Sequence, residues 1–121
     1  MANVDAIMEW TFYEEVDVPR DVQAILIEGE EPQVAYRTVR DVAVVTNKRF
    51  IIADKQGITG KKVESYTIPF KSIDMYSTEN AGRLDYNAEI QFWTRTGKFK
   101  LNLNKKVDIR KLDRIIASHI L

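Results

Sequence analysis

Few side chains in this chain of 121 residues are of the kinds that catalyse reactions or hold metals. His119 is the one histidine, and there is no cysteine. A zinc site of the usual Cys/His kind and a Cys–His dyad therefore cannot be assembled, and disulfides are excluded. Near the end of a helical pattern, His119 interacts favourably with the helix dipole and needs no catalytic role. The carboxylate neighbours Glu14-Glu15 and Glu30-Glu31 are adjacent in sequence, need not face one another, and read as solvated surface. No serine stands in a nucleophile-elbow pattern. The segment Gly57-Ile58-Thr59-Gly60-Lys61-Lys62 has something of a phosphate loop. A P-loop, however, puts four residues between its glycines, follows Lys with Ser or Thr, and opens a helix. Here the spacing is shorter, a second lysine follows, and a strand pattern continues. The segment reads as a β-turn whose glycines supply positive φ. Its alternative is an anion site in which backbone N–H groups act with Lys55, Lys61 and Lys62, joined by Lys48. The residues predict no catalytic centre, no metal and no cofactor.

Aromatic residues are more informative. Trp93 stands between Phe92 and Thr94, so on a strand it points away from the face that holds Ile90 and Phe92. Glu89, Gln91 and Arg95 share its outward side. Trp10 and Phe12 add exposed aromatic area unless they dock. These six residues are the candidates for an interface between subunits, where a buried Trp contributes strongly. Stacking on nucleic acid is a third use of such rings. Neither an RNA-binding signature nor a strongly basic composition accompanies them, so no nucleic-acid partner is expected. Formal net charge is zero, but residues 1–41 hold ten acids and three bases while residues 42–121 hold eight acids and fifteen bases. The two halves are thus −7 and +7. Either they neutralise one another, within a chain or between neighbours, or the second is a basic module for an anionic partner.

These residues must be held by a single domain, which is what this length supports. No run nears the roughly 20 apolar residues of a membrane helix. The first residues lack the basic start and long apolar stretch of a secretory signal, so the cytoplasm is the expected compartment. Val4, Ile7 and Met8 have helical spacing, and their acidic polar face would be repelled by an anionic membrane. A second helix is predicted over 20–27, with Pro19 before it and Gly29 behind. From 34 onward the period becomes that of strands: 34–39, 42–45, 50–53, 62–68, 73–78, 85–95 and 98–104. Asn47-Lys48 forms one turn and Thr96-Gly97 another. A final helix begins after the N-cap Asp108, with Ile109, Leu112, Ile115, Ile116 and Ile120 as its apolar stripe. The class is mainly β: a seven-stranded open barrel or sandwich capped by a C-terminal helix, with short helical segments at the N-terminus.

This order of elements is the pleckstrin-homology (PH) order. Leu26-Ile27-Glu28-Gly29-Glu30, Ala35-Tyr36-Arg37 and Arg40-Asp41 resemble the start of the bacterial PH domain family. Val45-Thr46-Asn47-Lys48-Arg49 resembles a following turn, residues 54–64 the next loop, and Ile68-Pro69-Phe70-Lys71-Ser72-Ile73 a later strand entry. The resemblance covers about residues 20–121 and leaves 1–19 as an acidic helical extension. It implies a PH-like fold and ring-shaped homo-oligomers, and it names no ligand. Eukaryotic relatives often hold phosphoinositides in a basic loop between their first two strands. Here that connection is Arg40-Asp41, short and partly acidic, so membrane binding is not expected. The leading expectation is a self-associating, non-catalytic interaction domain, assembled into more than a dimer, in which an acidic N-terminal segment meets a basic strand face. The alternative is binding of an anionic lipid or other anion through Lys48, Lys55, Lys61 and Lys62. An unclassified enzyme comes third.

Overall fold

A computed structural model describes residues 6–56, 62–79 and 87–121. Among these described residues nine strands form two sheets: β1 (Ala6–Phe12), β2 (Glu14–Val16), β3 (Pro32–Arg37), β4 (Val42–Thr46), β5 (Arg49–Gln56), β6 (Lys62–Pro69), β7 (Met75–Glu79), β8 (Ala88–Thr94) and β9 (Gly97–Leu103). The helix α1 (Ile109–Ile120) follows. One sheet has the order β1-β9-β8-β7 and the other β2-β3-β4-β5-β6. The seven strands expected from the alternating pattern are β3 to β9. The two additional strands come from the N-terminal region.

That region corrects the helical expectation. Residues 6–12 form a strand that runs parallel to β9, with Trp10 opposite Leu101 and Phe12 opposite Leu103. Met8, Trp10 and Phe12 alternate as well as Val4, Ile7 and Met8 fit a helix turn, and pairing with β9 decides between the two periods. Tyr13 then carries the chain across to the other sheet, its N–H donating to the carbonyl of Arg37 at 2.9 Å, and β2 pairs antiparallel with β3. The second expected helix is a 3-10 helix, Arg20–Ile25. Its Val22 is buried against Ala35, Val44 and Ile51 on the outer face of the five-stranded sheet. This explains why β4 and β5 read as continuous apolar runs. Ala43, Val45, Phe50 and Ile52 face the main core, while Val44 and Ile51 face the covering segment, so both sides of these strands are dry.

In the four-stranded sheet one side alone is core. Ile90, Phe92, Leu101 and Leu103 are buried, and their sequence neighbours turn outward. The hairpin between β8 and β9 turns through Arg95-Thr96, one residue earlier than the expected Thr96-Gly97. Gly97 opens β9 opposite Thr94 with φ of 139°, a conformation open to glycine and rare for other residues. Asp108 caps α1 by accepting from the N–H groups of Arg110 (3.1 Å) and Lys111 (3.2 Å). Leu112 and Ile116 point into the main core, with Ile109, Ile115 and Ile120 packed around its margin. The helix therefore closes the space between the sheets, as the apolar stripe requires. Among the described residues no helix is long and apolar enough to cross a membrane.

Candidate functional site

The outward side of the four-stranded sheet collects three of the interface candidates. Register places Glu79, Glu89 and Asn102 in one row, Ser77, Gln91 and Lys100 in the next, and Met75, Trp93 and Lys98 in a third. Lys98 Nζ lies 5.7 Å from the Trp93 ring centroid, within cation–π range. Met75 beside it is 57% exposed. Toward the β1 edge the face becomes ionic. Lys100 approaches Glu89 at 3.2 Å and Glu9 at 3.8 Å, and the Glu89 hydrogen bond raises the Lys100 pKa above its ordinary value. Gln91 Nε2 donates to Glu89 at 2.6 Å, and Asn102 Nδ2 donates to Glu9 at 2.6 Å. Trp93 thus sits at the apolar end of a face whose other end is internally paired. Arg95 is exposed in the turn beyond the strand.

Trp10 and Phe12 belong to the opposite side of that sheet. Phe12 has no exposed surface and stacks on Tyr36 at 5.0 Å between ring centroids. It offers nothing to a neighbouring subunit. Trp10 is partly buried against the core, 5.6 Å from Tyr66 and 6.1 Å from Phe99, where it bridges β1 to β6 of the other sheet. The strand period accounts for both positions: once residues 6–12 alternate, Trp10 and Phe12 share the side of β1 whose register partners are Leu101 and Leu103.

Of the four lysines read as an anion site, Lys48 and Lys55 stand at opposite ends of β5. Lys48 occupies the tight turn after β4, and Lys55 pairs with Val63 near the far end of the hairpin. Seven residues of strand separate them by about 23 Å. Lys61 and the side chains of Lys55 and Lys62 lie outside the described residues. The structure instead places Lys48 beside Lys71 and His119, in a cleft of about 450 Å³ that also takes in Ile27, Phe70 and the Glu30–Arg49 pair.

That pair corrects the reading of Glu30 as solvated surface, while Glu31 is exposed as expected. The Glu30 side chain has no exposure. Arg49 grips it with Nε at 2.8 Å from Oε2 and Nη2 at 3.0 Å from Oε1. Thr46 Oγ1 donates to Oε2 at 2.7 Å, and the Ile27 N–H to Oε1 at 3.1 Å. Bidentate guanidinium contact and two further donors stabilise the anion, so the carboxyl falls from its ordinary 4.5 to about 2, with the Arg49 hydrogen bond the largest cause. Asn47 adds a second clasp: its Oδ1 accepts from the Glu31 N–H at 2.8 Å and its Nδ2 donates to the Gly29 carbonyl at 3.0 Å. Gly29 itself takes φ of 79°. Residues 27–31 are thereby fastened to the β4–β5 turn. These are two of the segments that carry the family resemblance, and nothing in the sequence signals that they meet.

Comparison with known proteins agrees with this architecture. The family model described as "Bacterial PH domain" matches residues 3–120. The chain is 50% identical over 76 residues to the uncharacterized protein YjqA of Bacillus subtilis (strain 168), a match that spans 63% of this chain and 61% of YjqA's own length. It is 29% identical over 101 residues to the uncharacterized protein YozO of the same organism, covering 84% of this chain and 88% of YozO. Among solved structures it is similar to a DUF1696 family protein with a pleckstrin-homology domain from Shewanella loihica PV-4. That match has a TM-score of 0.80 and 35% identity, over 89% of this chain and 97% of the other. A pleckstrin homology domain from Shewanella amazonensis SB2B matches with a TM-score of 0.66 and 39% identity, over 84% and 83% of the two chains. With its two sheets, capping helix and family match along almost its whole length, this chain belongs to the bacterial PH domain family.

Proposed function

We propose that this chain is a non-catalytic interaction domain that associates with copies of itself through the outward face of its four-stranded sheet. The observation that carries this reading is the cluster of Trp93, Met75 and Lys98 on the side of the sheet turned away from the core, where Met75 is 57% exposed. A large aromatic ring beside an exposed thioether is the composition of an interface centre. The paired Glu9, Lys100 and Glu89 make a polar rim. In a ring of more than two subunits the contact is heterologous, so the Trp93 face meets a different patch of the next copy.

Pairing within the chain weighs against the acidic N-terminal segment as that patch. Glu9 is held by Lys100, Glu14 by Arg37 at 3.3 Å, and Glu15 by Lys111 at 2.8 Å. These contacts are within one chain, and two of them, Glu9–Lys100 and Glu15–Lys111, join the two charged halves and favour the reading in which these neutralise each other internally. The test is light scattering after size exclusion. The wild type should run as an oligomer larger than a dimer. Trp93→Ala should shift it toward monomer or dimer without unfolding, since losing such a centre costs about 2 kcal/mol or more per contact. A wild type that remains monomeric at tens of micromolar would sink the proposal.

A further inference from the structure

Three cationic or titratable side chains reach one cleft from three separate elements. Lys48 comes from the β4–β5 turn, Lys71 from the 3-10 turn Phe70–Ser72, and His119 from the last turn of α1. Glu30 is the sole carboxylate among the lining residues, and it is fully engaged by Arg49. Their charges cancel. Neither Lys48 nor Lys71 enters an ion pair among the described residues, whereas Arg37, Arg49, Lys100 and Lys111 each hold a carboxylate. In a molecule of zero formal net charge, cations left unmatched around a shared concavity favour an anion from outside.

The frame and walls narrow the class of anion. The turn that presents Lys48 is fixed, with Thr46 Oγ1 accepting from the N–H groups of Lys48 and Arg49 at 3.0 Å each. The strand end before Lys71 is fastened to it, the Phe70 N–H donating to the Lys48 carbonyl at 2.9 Å. A frame set in advance lowers the ordering cost of binding. The His119 imidazole lies parallel to the Phe70 ring at 6.0 Å, and Ile27, 62% exposed, supplies an apolar wall. A volume of about 450 Å³ is in the range of small-molecule sites. A monovalent halide would leave one ammonium unmatched. A phosphate dianion can accept from both ammonium groups and from an imidazole N–H, with lysine acting as a point charge. We infer that this cleft binds a phosphomonoester, the phosphate between Lys48, Lys71 and His119 and the carbon part against Ile27. The site is independent of self-association and stands at the opposite end of β5 from Lys55.

The test is an amide-shift titration of the full, isotope-labelled chain with glycerol 3-phosphate. Sodium chloride at matched ionic strength is the comparison, and vesicles of phosphatidylcholine doped with phosphatidic acid give a parallel binding assay. Saturable shifts are expected at Lys48, Lys71 and His119 with the ester and not with chloride. The double variant Lys48→Ala/Lys71→Ala should weaken the dissociation constant about tenfold or more, which is about 1.4 kcal/mol. Lys105→Ala/Lys106→Ala, on an exposed loop, should leave it unchanged. Binding to the vesicles alone, lost in the first double variant, would identify the phosphomonoester as a lipid headgroup and sustain the inference. Binding of neither probe, equal shifts with chloride, or equal weakening by the control variant would overturn it.

Discussion

At Glu30 a carboxylate without exposed side-chain surface is balanced by Arg49, Thr46 and the Ile27 amide. Removing one partner of a buried pair leaves the other uncompensated, so Glu30→Gln should cost about 3 kcal/mol at neutral pH in urea denaturation. The same experiment has a pH signature. Because folding lowers this carboxyl from 4.5 to about 2, its contribution is complete above the higher value. It fades as the pH drops between the two and is gone below the lower. The gap between wild type and variant should narrow across that window, and a gap that persists unchanged to pH 2 would refute the assignment. Nothing local in the sequence marks Glu30 as different from Glu31. Its side-chain partners are 16 and 19 residues away, and only the folded turn brings them to it. Lys48 and Lys55 illustrate the converse, since seven residues along one strand put them about 23 Å apart.

At the scale of elements, α1 was legible because its stripe repeats with the helical period and Asp108 marks its start. Leu112 has no exposed surface, and Leu112→Ala should destabilise by about 2–5 kcal/mol in chemical denaturation. A loss below about 0.5 kcal/mol, the range of surface sites, would mean that the helix is not docked. Strands β3 to β9 were legible for similar reasons: alternation where one side is wet, continuous apolar runs where a 3-10 helix covers the second side, and Asn, Gly and Thr at the turns. The first strand was not. Its parallel partner lies at the other end of the chain, and a short stretch holding both periods gives no local ground for choosing between them.

Across the whole molecule, the N-terminal strands serve both sheets. β1 borders one sheet, β2 borders the other, and Phe12 fills the core between them. Deleting residues 1–13 should therefore remove at least the 3–5 kcal/mol typical of losing a buried Phe side chain, a large share of the roughly 5–15 kcal/mol that stabilises a domain. Thermal unfolding followed by circular dichroism should show a broadened or absent transition. A truncated chain that melts as sharply as the wild type, at the same temperature, would show that β1 is dispensable.

The parallel pairing of β1 with β9 also has a consequence for biosynthesis. The hydrogen bond from Asn102 to Glu9 joins residues 93 positions apart. At the usual ribosomal pace of about 5–20 residues per second, β1 waits roughly 5–20 s for its partner to be made. During that interval β3, β4, β5 and β6 can zip together as successive antiparallel neighbours. β1 is held in reserve, its Trp and Phe unsheltered, until β9, the last of the described strands, has left the exit tunnel. A nascent chain stalled before β9 would carry that strand unpaired, a ready client for a chaperone.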